Sequence, residues 1–211
     1  MRKAIRLVGA ILAFSLAQAA QAQTPLDTYL EQLKTLRTEF SQVVTDARGR
    51  QVQKASGKLV IVRPGRFRWE LTPDGAGASA QLMISDGRNL WFYDRDLEQV
   101  SVRPAATALT ATPASLLSGE GDIRKLFVVK PAERSQGLDW VSVTPRSADA
   151  DFREARLAFA RSELKRMVLK DKLGQTVELV FEVSKRNAPV DDAEVAFTPP
   201  ADADVIGTPL S

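Results

Sequence analysis

Neither cysteine nor histidine occurs anywhere in the 211 residues of the chain. Their absence removes Ser-His-Asp and Cys-His nucleophilic catalysis, thiolate chemistry, zinc fingers and His-ligated catalytic metals. An enzyme built on this sequence would have to work with carboxylates, Lys, Tyr or Ser alone. No G-x-S-x-G, Walker A or G-x-G-x-x-G pattern is present, which leaves no nucleophile elbow and no phosphate cradle. No stretch approaches the ~20 apolar residues that a membrane-spanning helix needs. Hydrophobic residues at 44% and charged residues at 26% exclude global disorder, and the length suits one well-cored domain.

What is present begins with an address. Arg2, Lys3 and Arg6 form a basic n-region, Leu7 to Leu16 an apolar h-region, and Ala20-Gln21-Ala22 an A-x-A cleavage site. Residues 1–22 are therefore expected to be a cleaved signal peptide and 23–211 a single exported domain, periplasmic in a Gram-negative source. Removing Arg2, Lys3 and Arg6 leaves 26 basic against 26 acidic residues. The mature chain is formally neutral, and nucleic acid is not an expected partner.

Thr24 to Phe40 reads as an amphipathic helix, with Thr24 as N-cap, Pro25 at N1 and Asp27 in the capping-box position, and with Leu26, Tyr29, Leu30, Leu33 and Leu36 at helical spacing. From Gly57 the period switches to two. Phe67-Arg68-Trp69-Glu70-Leu71 alternates, as does Thr176 to Val183, where Val177, Leu179, Phe181 and Val183 share a face. Turn signals at Arg63-Pro64-Gly65, Asp74-Gly75, Asp86-Gly87 and Lys172-Leu173-Gly174 separate the strands. A succession of hairpins with few helices implies an antiparallel sheet, which at this length must curl, close or be covered. A segment from Thr107 to Gly121 interrupts the strands, with Thr112-Pro113 as a second helix start and Leu116-Leu117 as its apolar pair. The tail around Phe197 to Ile206 reads as an edge or wrap-around segment.

Candidate chemistry is sparse. Asp94, Asp96 and Glu98 are the densest acidic spacing, but Gln99 stands where an EF-hand loop needs glycine, and a hairpin tip explains them better. Ser162-Glu163-Leu164-Lys165 matches S-x-x-K, yet neither S-D-N nor K-T-G accompanies it. Arg66 and Arg68 alternate with Phe67 and Trp69, so the arginines, with Glu70, face solvent while the aromatics line the opposite surface. No enzymatic activity, cofactor or metal is expected. Leu59-Val60-Ile61-Val62 and Leu90-Trp91-Phe92-Tyr93 are apolar on both strand faces. A sheet covered on both sides accounts for that, and so does a barrel-like sheet with a partly filled apolar interior.

Several motifs, taken in order, resemble the LolA-type periplasmic lipoprotein carriers along essentially the whole mature length. They are Phe40-x-Gln42; Gly57-x-Leu59 leading to Arg63-Pro64-x-x-Phe67-x-Trp69; Ser85-Asp86-Gly87 leading to Leu90-Trp91-x-Tyr93-Asp94 and Gln99; Thr112-Pro113 with Leu116-Leu117; Asp171-x-x-Gly174-Gln175; and Phe197-x-Pro199-Pro200 with Asp204-Val205-Ile206. The resemblance implies a mainly β fold, an incomplete, strongly curved antiparallel β-barrel with a lid of short α-helices over an apolar cavity. It implies a monomer that takes acylated lipoproteins from an inner-membrane ABC transporter complex and hands them to an outer-membrane acceptor.

On that resemblance, Leu59, Ile61, Phe67, Trp69, Leu71, Trp91, Tyr93, Val177, Leu179 and Phe181 are expected to line the acyl-chain cavity, and Leu30, Leu33, Leu116 and Leu117 to form the lid. In the family the arginine matching Arg63 latches the lid, and the aromatic matching Phe67 sits near the ligand entrance. Parity with Leu59 and Ile61 aims Arg63 inward, towards either lid carbonyls near Gly119 or a neighbouring carboxylate. A lipid- or lipoprotein-binding sensor on the same fold is the alternative function.

Overall fold

The computed structural model describes residues 23–75, 77, 79–108, 113–119, 123–148, 150 and 152–211. The expected signal segment 1–22 and the helix-start residue Thr112 lie outside them. The chain opens with α1 (Pro25–Gln32), whose N-terminus carries the expected cap. The Thr24 hydroxyl accepts from the Asp27 N–H at 3.3 Å and the Thr24 N–H donates to the Asp27 carboxylate at 2.7 Å. Each satisfies a backbone donor that a helix end otherwise leaves unpaired.

The helix is shorter than the expected Thr24–Phe40 span, because β1 (Thr35–Thr45) begins directly after it. From Leu36 the buried positions are Leu36, Thr38, Phe40, Gln42 and Val44, a period of two that the helical spacing of Leu33 and Leu36 disguised. A strand here gains hydrogen-bonded partners on both sides, which an exposed helix end would lack. The junction is held by Asn187, whose carboxamide oxygen accepts from the Lys34 and Thr35 N–H groups while its NH2 donates to the Gln32 carbonyl.

The remaining strands are β2 (Gln51–Val62), β3 (Arg66–Pro73), β4 (Gln81–Asp86), β5 (Asn89–Asp94), β6 (Gln99–Pro104), β7 (Phe127–Pro131), β8 (Asp139–Pro145), β9 (Phe152–Ala160), β10 (Glu163–Asp171), β11 (Thr176–Arg186) and β12 (Asp204–Ile206), with α2 (Ala105–Ala108) and α3 (Pro113–Ser118) between β6 and β7. They form one sheet in the order β12-β6-β5-β4-β3-β2-β1-β11-β10-β9-β8-β7. Every pairing is antiparallel except that of β12 with β6. The sheet curves strongly and does not close, leaving β12 and β7 as its edges.

Curvature gives the sheet two unlike faces. The concave face carries Leu59, Ile61, Phe67 and Trp69 from β2 and β3, Leu157 and Phe159 from β9, Met167 from β10, and Leu179 and Phe181 from β11. Leu26, Tyr29, Leu30 and Leu33 from the α1 segment and Leu116 and Leu117 from α3 pack onto it. Burying each such side chain is worth about 1.5–3 kcal/mol, so the hydrophobic effect is a main support of short helices that would not hold in water. On the convex face Leu82, Ile84, Trp91, Val100 and Val102 make a second cluster, covered by Phe197 and Ala203 of the C-terminal segment.

Gly57 sits where β1, β2 and β3 meet. A Cβ there would lie 2.3 Å from the Phe40 ring and 2.4 Å from the Glu70 carbonyl oxygen, so glycine lets Phe40 lie against β2 and pack on Trp69 with the ring centres 4.6 Å apart. Gly57→Ala should lower stability by about 1–3 kcal/mol in urea unfolding, as overpacking of a closed core does.

Candidate functional site

The site is built from the inward residues of the strands and the helices pressed onto them. β2 presents Leu59 and Ile61, register pairs them with Trp69 and Phe67 of β3, and β11 adds Val177, Leu179 and Phe181 on the other side of β1. Leu71 and Val177 are partly buried against the same cluster. Leu30, Leu33, Leu116 and Leu117 are buried over this face. Tyr29 anchors α1, with its ring 5.5 Å from that of Phe159 and the Arg186 guanidinium 5.3 Å from its centre. Burial pushes the Tyr29 hydroxyl well above its ordinary pKa, and the nearby charge of Glu163 pushes the same way.

At the turn between β2 and β3, Arg63 reaches both helices. Its Nη1 donates to the Leu30 carbonyl at 3.0 Å, in the last turn of α1, and its Nη2 donates to the Gly119 carbonyl at 2.9 Å, just past α3. Both carbonyls lie at helix C-termini, at the negative end of the helix dipole, and the Leu30 carbonyl also accepts from the Leu33 N–H at 3.3 Å. Among the described residues Arg63 makes no ion pair, so of the two partners open from sequence the geometry has the carbonyls. Burial alone lowers the guanidinium's pKa, since no carboxylate compensates its charge. The same turn is tied to α3 a second time, with Gly65 N–H donating to the Ser118 carbonyl at 2.8 Å, and Ser85 Oγ donating to the Gly65 carbonyl at 2.6 Å.

The opposite end of α1 is held by charge. Arg124 Nη2 donates to the Asp27 carboxylate at 2.6 Å, a pair in which the side chains keep 21% and 12% of their exposure. Burial would raise the Asp27 pKa, but the hydrogen bonds from Arg124 and Thr24 outweigh it and hold the carboxyl below its ordinary value.

Two expectations are corrected. Trp91 and Tyr93 do not line the concave face. Register pairs Trp91 with Ile84 and Val102, and Tyr93 with Leu82 and Val100, so the side chains project from the convex face, where Phe197 lies 5.6 Å and 6.1 Å from their rings. The inward residue of that apolar run is Leu90, which packs against the concave cluster. An apolar tetrapeptide carries no parity of its own, and only the cover supplied by the distant tail decides which face is which.

Among the described residues, the space expected to be an apolar cavity is filled by side chains. The concave side chains and the helices bury one another, because an empty apolar void would forfeit their dispersion contacts. An open groove of about 410 Å³ lies instead on the convex side, lined by Arg37, Lys58, Val60, Val183 and Lys185.

Sequence reasoning also left out the contribution of β9 and β10, although Ala155, Leu157 and Phe159 alternate clearly enough to have been found. The Asp27–Arg124 pair, 97 residues apart, had no sequence signal.

Fold and site together define an open, strongly curved β-sheet protein whose apolar concave face is sealed by helices that one arginine ties down. The family model for the outer membrane lipoprotein carrier protein LolA matches residues 31–198, and the chain belongs to that family. An outer-membrane lipoprotein carrier protein of Dechloromonas aromatica is 41% identical over 188 residues, covering 89% of this chain and 88% of that one. One of Chromobacterium violaceum is 37% identical over 202 residues, covering 95% of each. The crystal structure of an uncharacterized conserved protein from Thermus thermophilus shares the fold at a TM-score of 0.55 and 16% identity, covering 86% of this chain and 96% of that one.

Two outcomes follow from this geometry. An acyl chain brominated along its length, bound in the concavity, should quench the fluorescence of Trp69 and leave that of Trp91 unchanged, read in variants in which Trp140 is replaced by Phe and only one of Trp69 and Trp91 is kept; quenching of Trp91 alone would put the ligand on the wrong face. Asp27→Asn should cost about 1 kcal/mol at pH 7. Because the folded state lowers the Asp27 pKa, its carboxylate stabilises the fold above the ordinary value of 3.8 and ceases to do so as pH falls through the lowered folded value. The gap between wild type and Asp27→Asn in urea unfolding should therefore narrow as pH falls below the ordinary value of 3.8 and vanish once it is beneath the lowered folded value.

Proposed function

We propose that residues 23–211, freed of the signal segment 1–22, form a monomeric periplasmic carrier of acylated lipoproteins, loaded by an inner-membrane ABC transporter complex and unloaded to an outer-membrane acceptor without any chemical step. The observation that carries this reading is the Arg63 bridge, a half-buried cation bonded to two helix-end carbonyls directly over an apolar concave face. A fold that needed those helices only for its core would have no use for a half-buried charge beside them.

The energetics suit the task. Acyl chains cost ~0.8 kcal/mol per exposed CH2, so a chain of ~15 methylenes resists transit through water by roughly 12 kcal/mol. In the empty protein the concave face is closed on Leu30, Leu33, Leu116 and Leu117, which act as the lid. Loading displaces these side chains and exchanges one set of apolar contacts for another. It also breaks the two Arg63 bonds, each worth about 1.5–3 kcal/mol as a bond to a charged group, and rehydration of the guanidinium returns part of that. The latch thus offsets a minority of the gain from burying a chain. Binding stays favourable while release regains the closed state, which makes transfer to an acceptor energetically accessible.

Arg63→Leu removes the bonds that favour the empty form. It should load as well as wild type or better, and retain cargo at least tenfold more strongly, about 1.4 kcal/mol, in a two-step assay of release from donor membranes followed by transfer to acceptor. Lost loading combined with normal transfer of whatever is bound would mean that Arg63 docks the donor and is no latch.

A further inference from the structure

Three side-chain polar atoms among the described residues are buried without a hydrogen-bond partner: Trp140 Nε1, Arg166 Nε and Ser118 Oγ. The first two belong to half-buried side chains on β8 and β10, where a small movement of the side chain reaches water. Ser118 is different. The whole residue is 0% exposed, at the last position of α3, a helix that packs on β2 and β3 and buries Ala114, Leu116 and Leu117 alongside it.

The backbone around Ser118 is the part of α3 that is held most firmly. The Ser118 carbonyl accepts from the Gly65 N–H at 2.8 Å, and the next carbonyl, that of Gly119, accepts from Arg63 Nη2 at 2.9 Å. The hydroxyl stands beside this clasp and bonds to none of the described residues. A hydroxyl that gives up water and gains no partner destabilises the state in which it is buried. Alanine would fill the same place without that penalty and is the better helix former.

We propose that Ser118 is a counterweight to the Arg63 latch: it buries an unpaired hydroxyl only when α3 is closed on the sheet, and so lowers the stability of the empty form and raises the affinity for cargo. The inference rests on the carrier reading and deepens it, since it concerns how firmly the lid of that site shuts.

The bonds from Gly65 and Arg63 and the leucines of α3 all favour closure, and the Ser118 hydroxyl acts against them. When α3 lifts from β2 and β3, the hydroxyl meets water and recovers the hydrogen bonds that closure took away. The apparent affinity for cargo scales with the fraction of molecules in the open, binding-competent state, so a group that destabilises the closed state alone strengthens binding. Position is what gives the residue this effect. The same hydroxyl on the outer side of α3 would be hydrated in both states and would shift nothing.

The test measures two quantities on the mature protein, the melting temperature of the empty form and the affinity for a pyrene-labelled diacylated peptide by fluorescence titration. Ser118→Ala should raise the melting temperature by roughly 4 °C and weaken probe binding about tenfold, close to 1.4 kcal/mol. Ser118→Cys, which removes the hydroxyl at nearly unchanged helix propensity, should move both quantities in the same directions. A higher melting temperature with unchanged or tighter probe binding would make Ser118 a structural group, unpaired in both states, and would overturn the proposal. Weaker binding in Ser118→Ala alone would assign the effect to helix propensity and overturn it too, as would an unchanged or lower melting temperature of Ser118→Ala. Each of these results leaves the carrier reading standing. Wild-type protein that does not bind the probe would contradict the carrier reading and the proposal together.

Discussion

A half-buried guanidinium without a carboxylate is the feature on which the rest of the arrangement depends. Arg63 sits half within the protein, and its charge is answered by the Leu30 and Gly119 carbonyls rather than by a counter-ion. An ion pair would hold the helices more rigidly, and breaking it would leave an uncompensated charge on each partner. Carbonyl acceptors are satisfied by water as readily as by arginine. The two helices can therefore leave the sheet without stranding a buried charge. The closure is strong enough to keep the apolar face out of water and weak enough for an acyl chain to compete with it.

That economy works only because the two faces of the sheet are assigned different tasks. The convex cluster of Leu82, Ile84, Trp91, Val100 and Val102 is closed by the chain's own tail, which lays Phe197 over the tryptophan, pairs β12 beside β6 and bonds Leu210 to Asn89 through both its N–H and its carbonyl. Ion pairs from Arg37 to Glu194 and from Arg66 to Asp192 fix the preceding segment across β1 and β3. Gly207 lets the tail approach β6, since a Cβ there would lie 2.4 Å from the Val102 carbonyl oxygen. With the convex side settled by covalently attached chain, the concave side is left to helices that hold on by side chains and by hydrogen bonds from Arg63, Gly65 and Asn187 to their C-terminal carbonyls. At the other end of α1, Asp27 and Arg124 provide a fixed point about which that helix can swing.

Much of this was legible in the sequence, and the parts that were not share a cause. Local chemistry read correctly: the Thr24–Asp27 cap, the hairpins at Arg63-Pro64-Gly65 and Asp86-Gly87, and the inward aim of Phe67 and Trp69 all follow from neighbours within a few residues. The end of α1 was misplaced because Leu33 and Leu36 satisfy a helical and a strand period alike, and it took pairing with β2 and β11 to decide. Trp91 and Tyr93 were placed on the wrong face because Leu90-Trp91-Phe92-Tyr93 is apolar throughout, and its parity is set by Phe197, more than a hundred residues away. The filled interior was invisible for a different reason. A concave apolar wall can be read from alternation, whereas whether it stands open depends on what occupies it.

The central claim is that cargo and helices compete for one apolar face. Because the chain lacks cysteine, nitroxide labels can be attached at single introduced cysteines, and Glu31 on α1 and Lys58 on β2 are both exposed. The distance between them, measured by pulsed electron paramagnetic resonance, should move to a longer population on loading with a lipoprotein and return on transfer to the acceptor. Full loading with an unchanged distance would contradict the account, because cargo would then be bound somewhere other than beneath the helices that Arg63 holds.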